Sequence, residues 1–425
     1  MKLAQRALRH VLIDIGPLRR HRDFRLLFLG QMATFLGSML SYVAIPYQVY
    51  ALTGSSLTVG LLGLAELVPV LTLGLVGGAL ADVIDRRRLV LLTELALMAM
   101  SGVLAWNSTL THPSTVLIFA VSVVAAGAWS LQRPALDALL PRLVERDELT
   151  AAGALSTFQV TVGMLAGPAI GGVLVASAGL AGTYAIDVAT FAVSLALLNA
   201  MQAVPPPVDA KRVSLSAIGD GLRYARSRPE LLGTYLVDMS AMFFGMPQAL
   251  FPQIARGFGG AGVLGLLYCA PAAGALIASA TSGWCNHVSR HGRAVAFAAA
   301  AWGLGTIAFG FAGSLWLVLV FLAVAGGADA ISGIFRRVMW NETIPDELRG
   351  RLASIEMISF SSGPLLGNVE AGGVASLAGV RFSIVSGGVL CVVGAAACAL
   401  LLPAFWRYEA PRSASSSSSS PSSLR

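Results

Sequence analysis

The sequence predicts an all-α membrane protein that crosses the bilayer many times, and three observations predict it. Of the 425 residues, 56% are hydrophobic and only 12% are charged, and the mean hydropathy is +0.74. A soluble domain carries about 25% charged residues, so the soluble classes are excluded. Apolar segments of about 20 residues, the length of a helix that spans a bilayer, recur along the chain, and basic residues fall almost entirely on one set of the loops between them.

Twelve apolar segments, bounded by charged residues, Pro or Gly, predict twelve transmembrane helices. The predicted spans are 24–50, 57–80, 89–108, 114–133, 151–177, 183–203, 231–255, 261–285, 294–313, 315–337, 351–377 and 382–406. They form two groups of six, so we expect two six-helix bundles.

The polar stretches between and beyond the spans divide the chain into five parts. We predict a cytoplasmic N-terminal segment at 1–23, bundles at 24–203 and 231–406, a cytoplasmic linker with an interfacial helix at 204–230, and a disordered cytoplasmic tail at 407–425. The linker begins with three prolines and then carries apolar residues on one helical face. From Ser413 onward the tail is mostly serine, which buries too little apolar surface to fold.

The distribution of basic residues predicts the orientation. With twelve spans, both termini lie on one side, and 27 of the 29 Lys and Arg residues fall on that side; only Arg256 and Arg381 fall on the other. Cytoplasmic loops of membrane proteins are enriched in Lys and Arg. We therefore expect both termini in the cytoplasm.

The two halves show a weak internal repeat. Asp-Glu-Leu occurs at 147–149 and 346–348, and each copy is followed by Gly-x-x-x-Gly, at 163–167 and 363–367. Two helical bundles related in this way, with a binding site between them, are typical of transporters built from parallel repeats.

A short turn between spans two and three is rich in charge. It contains Gly78, Asp82, Arg86 and Arg87. In the simplest interpretation these arginines only set the topology. In the functional interpretation the turn is a gate, where Asp82 bonds the amides at a neighbouring helix end and the arginines pair with acids on an adjacent span.

The turn resembles the signature loop of the major facilitator superfamily, Gly-x-Leu-Ala-Asp-Arg-x-Gly-Arg-Arg, from which it departs at Val83 and Asp85. The resemblance implies the major facilitator fold and a cytoplasmic gate. We expect Arg133 and Asp137 to be partners of the gate arginines, and Glu356 to belong to the same gate.

Span five contains Gly-x-x-x-Gly-Pro-x-x-Gly-Gly, formed by Gly163, Gly167, Pro168, Gly171 and Gly172. Glycines spaced by four residues share a helix face and let another backbone approach closely, which is also common in general membrane packing. The full pattern looks like the fifth-helix motif of the superfamily's antiporters, and this resemblance implies export. Segments 21–29, 43–46, 52–55 and 345–351 resemble the branch of enterobactin exporters and macrolide or multidrug efflux proteins.

Acids inside membrane spans are costly and are therefore candidate functional groups. We select Asp238, Asp329 and Glu66 as proton-coupling candidates. In the superfamily, helices one, four, seven and ten line the cavity, so the resemblance places Asp238 and Asp329 there. The structural alternative is pairing with a nearby arginine, Arg336 or Arg337.

Polar, aromatic and thioether side chains on spans one and seven are candidates for contacts with a transported molecule, because they form an adaptable surface. These are Gln31, Ser38, Tyr42, Met242, Phe243, Phe244 and Gln248. The alternative is that they face lipid or neighbouring helices.

Several kinds of chemistry have no motif in the sequence. Neither lysine follows a glycine, so there is no nucleotide-binding P-loop, and neither a metal-binding nor a nucleophile motif is present. We expect no enzyme activity, catalytic residue, metal, nucleotide or nucleic-acid partner, and no cofactor beyond a proton gradient as the energy source.

Together these features predict a monomeric secondary transporter of a bacterial-type inner membrane. We expect it to export a small amphipathic molecule, such as a drug, an antibiotic or a similar metabolite, in exchange for protons by alternating access. One alternative is a siderophore exporter, for which Arg133 is the only arginine near the cavity. Another is a membrane scaffold or receptor that transports nothing.

Overall fold

The structure is a computed structural model that describes residues 14–204 and 223–409; within them it leaves undescribed the side chains of 75–83 and of several residues between 346 and 358. Twelve helical elements, numbered in chain order, make up its two halves. They are α1 Arg22–Thr53, α2 Ser56–Val83, α3 Arg86–Thr109, α4 Thr115–Leu143, α5 Leu149–Ser177, α6 Gly179–Asn199, α7a Pro229–Phe244 with α7b Phe251–Phe258, α8 Ala261–Ala280, α9 His291–Phe311, α10 Leu315–Thr343, α11 Asp346–Ala378 and α12 Val380–Leu401.

The described part of the chain contains no strand, and ten of its helices are long and apolar enough to cross a membrane. The all-α, polytopic class predicted above is therefore confirmed. The remaining two predicted spans correspond to α7 and α11. The first is interrupted, and the second carries Asn368 and Glu370 within its 33 residues, so neither is among those ten.

Helix contacts repeat between the halves. In the first half α1 packs on α5 and α6, and α4 packs on α2 and α3; in the second half α7a packs on α11 and α12, and α10 packs on α8 and α9. Two crossings join the halves, α2 with α11 and α5 with α8. The five-part division stays a prediction, and its segments at 1–13, 205–222 and 410–425, including the linker helix and most of the tail, lie outside the described residues.

The single span predicted at 231–255 is wrong in one respect, since the helix breaks after Phe244 and resumes at Phe251. Pro247 has no backbone N–H and disfavours helical geometry in the residue before it. Neighbouring helices bond the groups that the break frees. The carbonyl of Gly245 accepts a hydrogen bond from the indole N–H of Trp302 at 3.0 Å, and the Asn368 side-chain oxygen accepts one from the Ala249 amide at 2.9 Å.

The glycine face predicted on α5 lies against α1. A Cβ atom added to Gly171 would stand 3.1 Å from the Cα atom of Leu40. Gly172 points to the other half, where an added Cβ would be 2.9 Å from the Cα of Gly265 on α8. Small residues here let α5 approach both helices closely. In the second half the corresponding face of α11 packs on α7a, and Gly372 meets the backbone of α2.

The assembly has two ends, which we call the terminal end, where residues 14 and 409 lie, and the far end, where α1 meets α2 and α7 meets α8. At the far end an apolar cluster joins the halves through Val43, Leu250 and Leu264. Two hydrogen bonds also cross between them, from Tyr42 to Gln248 at 2.8 Å and from Ser56 to Gln253 at 2.7 Å. The far end is therefore closed.

A candidate transport cavity between the two bundles

A cavity of about 620 Å³ lies between the halves. All six helices of the first half line it, whereas the second half contributes the α7 break, Tyr268 of α8 and one face of α11. It extends from Tyr42, beneath the closed far end, to Asp137 and Leu140 near the terminal end of α4. Arg133 and Asp137, which line it near that end, have side chains that are 51% and 66% exposed, so the cavity is open towards the terminal end.

Most of the predicted polar site residues line this cavity. Four of the seven proposed cargo contacts do so, together with one proposed coupling acid and two proposed gate residues. These residues are Gln31, Ser38, Tyr42, Gln248, Glu66, Arg133 and Asp137.

Three predicted cargo contacts on α7a lie elsewhere, since Met242, Phe243 and Phe244 are not among the described residues that line the cavity. Met242 is 4% exposed and packs with Trp302 in the interior of the second half. A Cβ atom on Gly363 would meet the Cβ of Met242 at 2.9 Å. The glycine face of α11 thus draws this part of α7a into helix packing and away from the cavity.

Two of the three predicted coupling acids, Asp238 and Asp329, also lie outside the cavity lining. Both lie beside Arg336 of α10, which forms an ion pair with Asp238 and places Nη2 3.6 Å from Oδ1 of Asp329. Asp238 and Arg336 are each 6% exposed. The structure thus pairs both acids with an arginine of the same bundle, which is the alternative to proton coupling that the sequence left open.

Glu66 of α2 is in a different environment. Its side chain lines the cavity close to the phenol groups of Tyr42 and Tyr268. The described residues offer it no ion-pair partner. A carboxyl group that faces a wet cavity in one conformation and apolar helix surface in another can bind and release a proton.

An acid that sequence reasoning missed lies directly behind the cavity wall. Glu94 of α3 is fully buried, and its Oε1 accepts a hydrogen bond from the Gln31 amide at 2.6 Å and a longer one from Gln132 at 3.4 Å. Both glutamines line the cavity. Glu94 lies within the span predicted at 89–108, so the same signal that marks Asp238, an acid inside an apolar span, also marks Glu94.

Asp187 of α6 is a further acid at the cavity wall. Its Oδ2 accepts hydrogen bonds from Ser41 at 2.5 Å and Ser101 at 2.8 Å. The two hydroxyls come from α1 and α3, so the carboxylate ties three helices of the first half together. Its hydrogen bonds indicate a structural role.

The predicted gate residues are distributed around the terminal end. Arg87 donates hydrogen bonds to the backbone carbonyls of Leu198 at 2.7 Å and Asn199 at 2.6 Å, both within the first bundle. We had predicted acidic side chains as its partners. Backbone carbonyls at the end of α6 are unsatisfied acceptors that suit a guanidinium. Arg86 donates to the Ala138 carbonyl at 3.1 Å.

Arg133 pairs with Asp137 one turn further along α4, at 3.4 Å. Glu356 is exposed and lies within electrostatic reach of Arg336 and Arg337. The other two predicted gate residues, Gly78 and Asp82, lie within 75–83, where the structure does not describe side chains.

These features define the class of the protein. Two six-element helical bundles, joined at two symmetric crossings and enclosing a cavity that is closed at one end and open at the other, form a transporter of the major facilitator type. The cavity wall is mainly apolar and aromatic, with a few polar groups, as in sites for small organic molecules. Among the described residues no cluster of three metal-ligating side chains occurs.

Comparison with known proteins gives the family. Residues 14–422 match the family described as transmembrane secretion effectors, and the chain belongs to that family. It is 29% identical over 394 residues to the enterobactin exporter EntS of Citrobacter koseri, covering 90% of this chain and 92% of the relative, and 29% identical over 393 residues to EntS of Shigella boydii serotype 18. The predicted exporter branch is therefore confirmed.

Solved structures support the same fold. A POT family transporter in complex with a thioalcohol-conjugated peptide has a TM-score of 0.71 at 12% identity, covering 90% of this chain and 96% of its own. The nucleoside transporter NupG has a TM-score of 0.66 at 13% identity, covering 90% and 98%. These relatives and neighbours are transporters, and the protein is a multi-pass membrane transporter and not an enzyme.

Proposed function

We propose that this protein is a monomeric exporter of a bacterial inner membrane, which moves a small amphipathic molecule out of the cytoplasm by alternating access and is driven by protons without a cofactor. The observation that carries the proposal is the cavity, open at the terminal end and closed at the far end. The excess of Arg and Lys at the terminal end supports a cytoplasmic location for that end. In this state the cavity would accept cargo from the cytoplasm.

The wall chemistry supports an amphipathic cargo. Trp129 and Phe360 line the cavity and are 48% and 58% exposed, so each offers a ring face to a bound molecule. Gln31, Gln132 and Gln248 supply amide groups between these apolar surfaces. Few charged groups contact the cavity, so burial of the apolar part of the cargo would supply most of the affinity.

For coupling we propose Glu66 as the principal proton carrier, with Asp238 and Asp329 as the predicted alternatives. Glu66 faces the same cavity as the cargo, so cargo and proton can compete for one site, as exchange requires. Asp238 and Asp329 share Arg336 inside the second bundle. They could contribute only if their ion pairs break and reform between the two conformations.

An uptake experiment in inverted membrane vesicles tests this assignment. A fluorescent amphipathic cargo is followed with and without an imposed pH gradient. We expect Glu66→Gln to remove the response to the gradient, while Asp238→Asn and Asp329→Asn retain it. Glu370→Gln changes an acid of α11 that is not among the described lining residues and serves as the matched control.

Loss of the response in Asp238→Asn or Asp329→Asn, with Glu66→Gln unaffected, would move coupling to the second bundle. A wild-type protein that ignores the gradient would refute proton coupling, and absence of any uptake would refute transport of such cargo.

A second candidate cargo is an anionic siderophore. Relatives at 29% identity are enterobactin exporters, and Arg133 lines the cavity near its open end. Its guanidinium already pairs with Asp137 at 3.4 Å, with both side chains more than half exposed, so an anionic cargo could displace that partner. Arg133→Gln should raise the KM for an anionic siderophore and leave a neutral amphipathic cargo unchanged. Equal effects on both cargoes would contradict this candidate.

A further inference from the structure

A second cavity, of about 460 Å³, lies at the terminal end of the second bundle on the flank of α9 and α10, apart from the transport cavity. Alanines of both helices form its floor, at Ala294, Ala298, Ala301 and Ala328. Small side chains along two packed helices leave a shallow apolar groove, which we call the α9–α10 groove.

Aromatic residues border this groove and are open to the surroundings of the bundle. Phe297 is 65% exposed and Trp284 is 49% exposed. From Arg290 at its mouth to Ala301 the groove follows 11 residues of chain, or about 16 Å at 1.5 Å per residue. This depth is about half of a hydrocarbon core about 30 Å thick, the thickness of one leaflet.

Two arginines stand at the mouth of the groove, Arg290 and Arg293. Arg290 pairs with the exposed Glu409 at 2.9 Å. Arg293 lies over the ring of Trp406 at 5.2 Å, and no described acid pairs with it. Its Nε is buried without a hydrogen-bond partner among the described residues, so an N–H donor stands beside the groove with no acceptor.

The corresponding turn of the first half uses its arginines differently. At the start of α3, Arg86 and Arg87 donate to backbone carbonyls of α4 and α6. The sequence from 283 to 293 repeats this turn in weakened form, with His291 and Gly292 at the positions of Arg86 and Arg87 and with Arg293 at the position of the exposed Arg88. Arg293 lines the groove, and its Nε–H has no acceptor among the described residues, so a ligand could supply one.

We propose that the α9–α10 groove binds an anionic phospholipid, with its phosphate at Arg293 and one acyl chain along the alanine floor. Guanidinium groups form strong charge-assisted hydrogen bonds with phosphate, and basic pockets at the membrane surface select anionic headgroups. Trp284 lies in the turn between α8 and α9, and indole rings favour the membrane interface. The inference concerns the flank of the second bundle and does not depend on the cargo or on the coupling acid.

Quenching of tryptophan fluorescence by brominated acyl chains tests the proposal on the full chain in neutral detergent. Dibrominated phosphatidylglycerol and dibrominated phosphatidylcholine are titrated in parallel. We expect saturable quenching at about fivefold lower mole fraction of phosphatidylglycerol, the preference that one basic residue near a membrane surface provides. Because the chain has seven tryptophans, Trp284→Phe identifies the signal, and the saturable component should be lost in that variant.

Variants separate headgroup from chain binding. Arg293→Gln should abolish the preference for phosphatidylglycerol, and Arg293→Lys should keep most of it. Arg142→Gln removes an exposed arginine at the terminal end of α4 and should change nothing. Ala294→Phe fills the groove but keeps both arginines, and should abolish saturable quenching by either lipid. Size-exclusion profiles show whether each variant is folded.

Several results would overturn the proposal. Equal quenching by both lipids in the wild-type protein would show that the headgroup is not recognised. Full competition by inorganic phosphate would show a site for soluble anions. A dimer that dissociates in Ala294→Phe, with no saturable quenching in the wild type, would show that a second copy of the chain covers the groove.

Discussion

The two halves repeat each other in helix contacts but hold their intramembrane acids in different ways. In the first half, Glu66, Glu94 and Asp187 lie at or behind the cavity wall, and the described residues give them hydroxyl or amide partners or none. In the second half, Asp238 and Asp329 converge on Arg336 within the bundle. The first half therefore presents acids without a basic partner to the cavity, whereas in the second half Asp238 and Asp329 share an internal arginine.

This difference suggests that the two halves, although alike in fold, have different roles in transport. Most of the cavity wall belongs to the first half, so cargo recognition and protonation would be concentrated there. The second half closes the far end through α8 and α11 and keeps its own ion-pair network at the terminal end. In such an exporter one half would bind the cargo and the proton, and the other half would move relative to it.

The largest effect on stability is expected from the loss of Arg336, the arginine that Asp238 and Asp329 share. Arg336→Gln leaves the buried Asp238 without its cation, which costs about 3–5 kcal/mol when one partner of a buried pair is removed. Thermal unfolding in detergent should show a large fall in midpoint. Arg337→Gln, at the neighbouring exposed position, is the control and should unfold near the wild-type temperature.

The double variant Asp238→Asn with Arg336→Gln sharpens this result. Removing both charges should recover most of the lost stability, because no uncompensated charge stays buried. If the double variant is as unstable as Arg336→Gln alone, the network is not an internal charge balance and the contrast between the halves fails.

A second prediction concerns the crossings that join the halves. Gly172→Val inserts side-chain atoms where α5 meets Gly265, at a cost of about 1–3 kcal/mol for overpacking. Because this contact joins the two halves in the state whose far end is closed, the variant should favour the open far end. Ser56→Cys, at the closed interface, should then react faster with an impermeant maleimide added outside the cell.

Gly153→Val is the matched control on the same helix, since an added Cβ there meets nothing within 4 Å. It should leave the labelling rate unchanged. Equal labelling in both variants would mean that the α5–α8 crossing does not hold the far end closed.

Much of the fold was predictable from the sequence because membrane spans obey strong rules. Helix length and apolarity gave the spans, and the glycine pattern of span five gave a close-packed face that the structure places against α1. The interruption of α7 was harder to predict. Gly245 and Pro247 are visible in the sequence, but the groups that satisfy the broken backbone, Trp302 and Asn368, come from distant helices.

The site was less predictable for the same reason. The positions of Asp238 and Asp329 within apolar spans show that both are intramembrane acids, but only the packing of α7a on α10 shows that they share Arg336. Met242 was a reasonable cargo contact from its chemistry, yet the glycine face of α11 determines which side of α7a is covered. Side-chain direction around a helix depends on tertiary partners that a single sequence does not specify.

A smaller effect is expected from the hydrogen bond that joins Tyr42 of the first half to Gln248 of the second. Tyr42→Phe removes this bond, which is worth about 1 kcal/mol, and should shift the balance towards the open far end about fivefold. The same Ser56→Cys labelling assay reports it. Tyr47→Phe, on the same helix and with no described hydroxyl bond, is the control; equal rates in the two variants would place the closing energy in apolar contacts alone.

The smallest effect should come from Glu94, and it separates recognition from coupling within the first half. Glu94→Gln keeps the shape of the buried group but weakens the charge-assisted hydrogen bonds that orient Gln31 and Gln132. A total loss of about 0.5 kcal/mol in orientation corresponds to about a twofold change in binding, so the KM for cargo should rise about two- to threefold in vesicle uptake. The response to the pH gradient should stay intact, because Glu66 is unchanged. A variant that transports normally at saturating cargo but ignores the gradient would instead make Glu94 the proton carrier, with Gln31 and Gln132 linking its charge to the cavity.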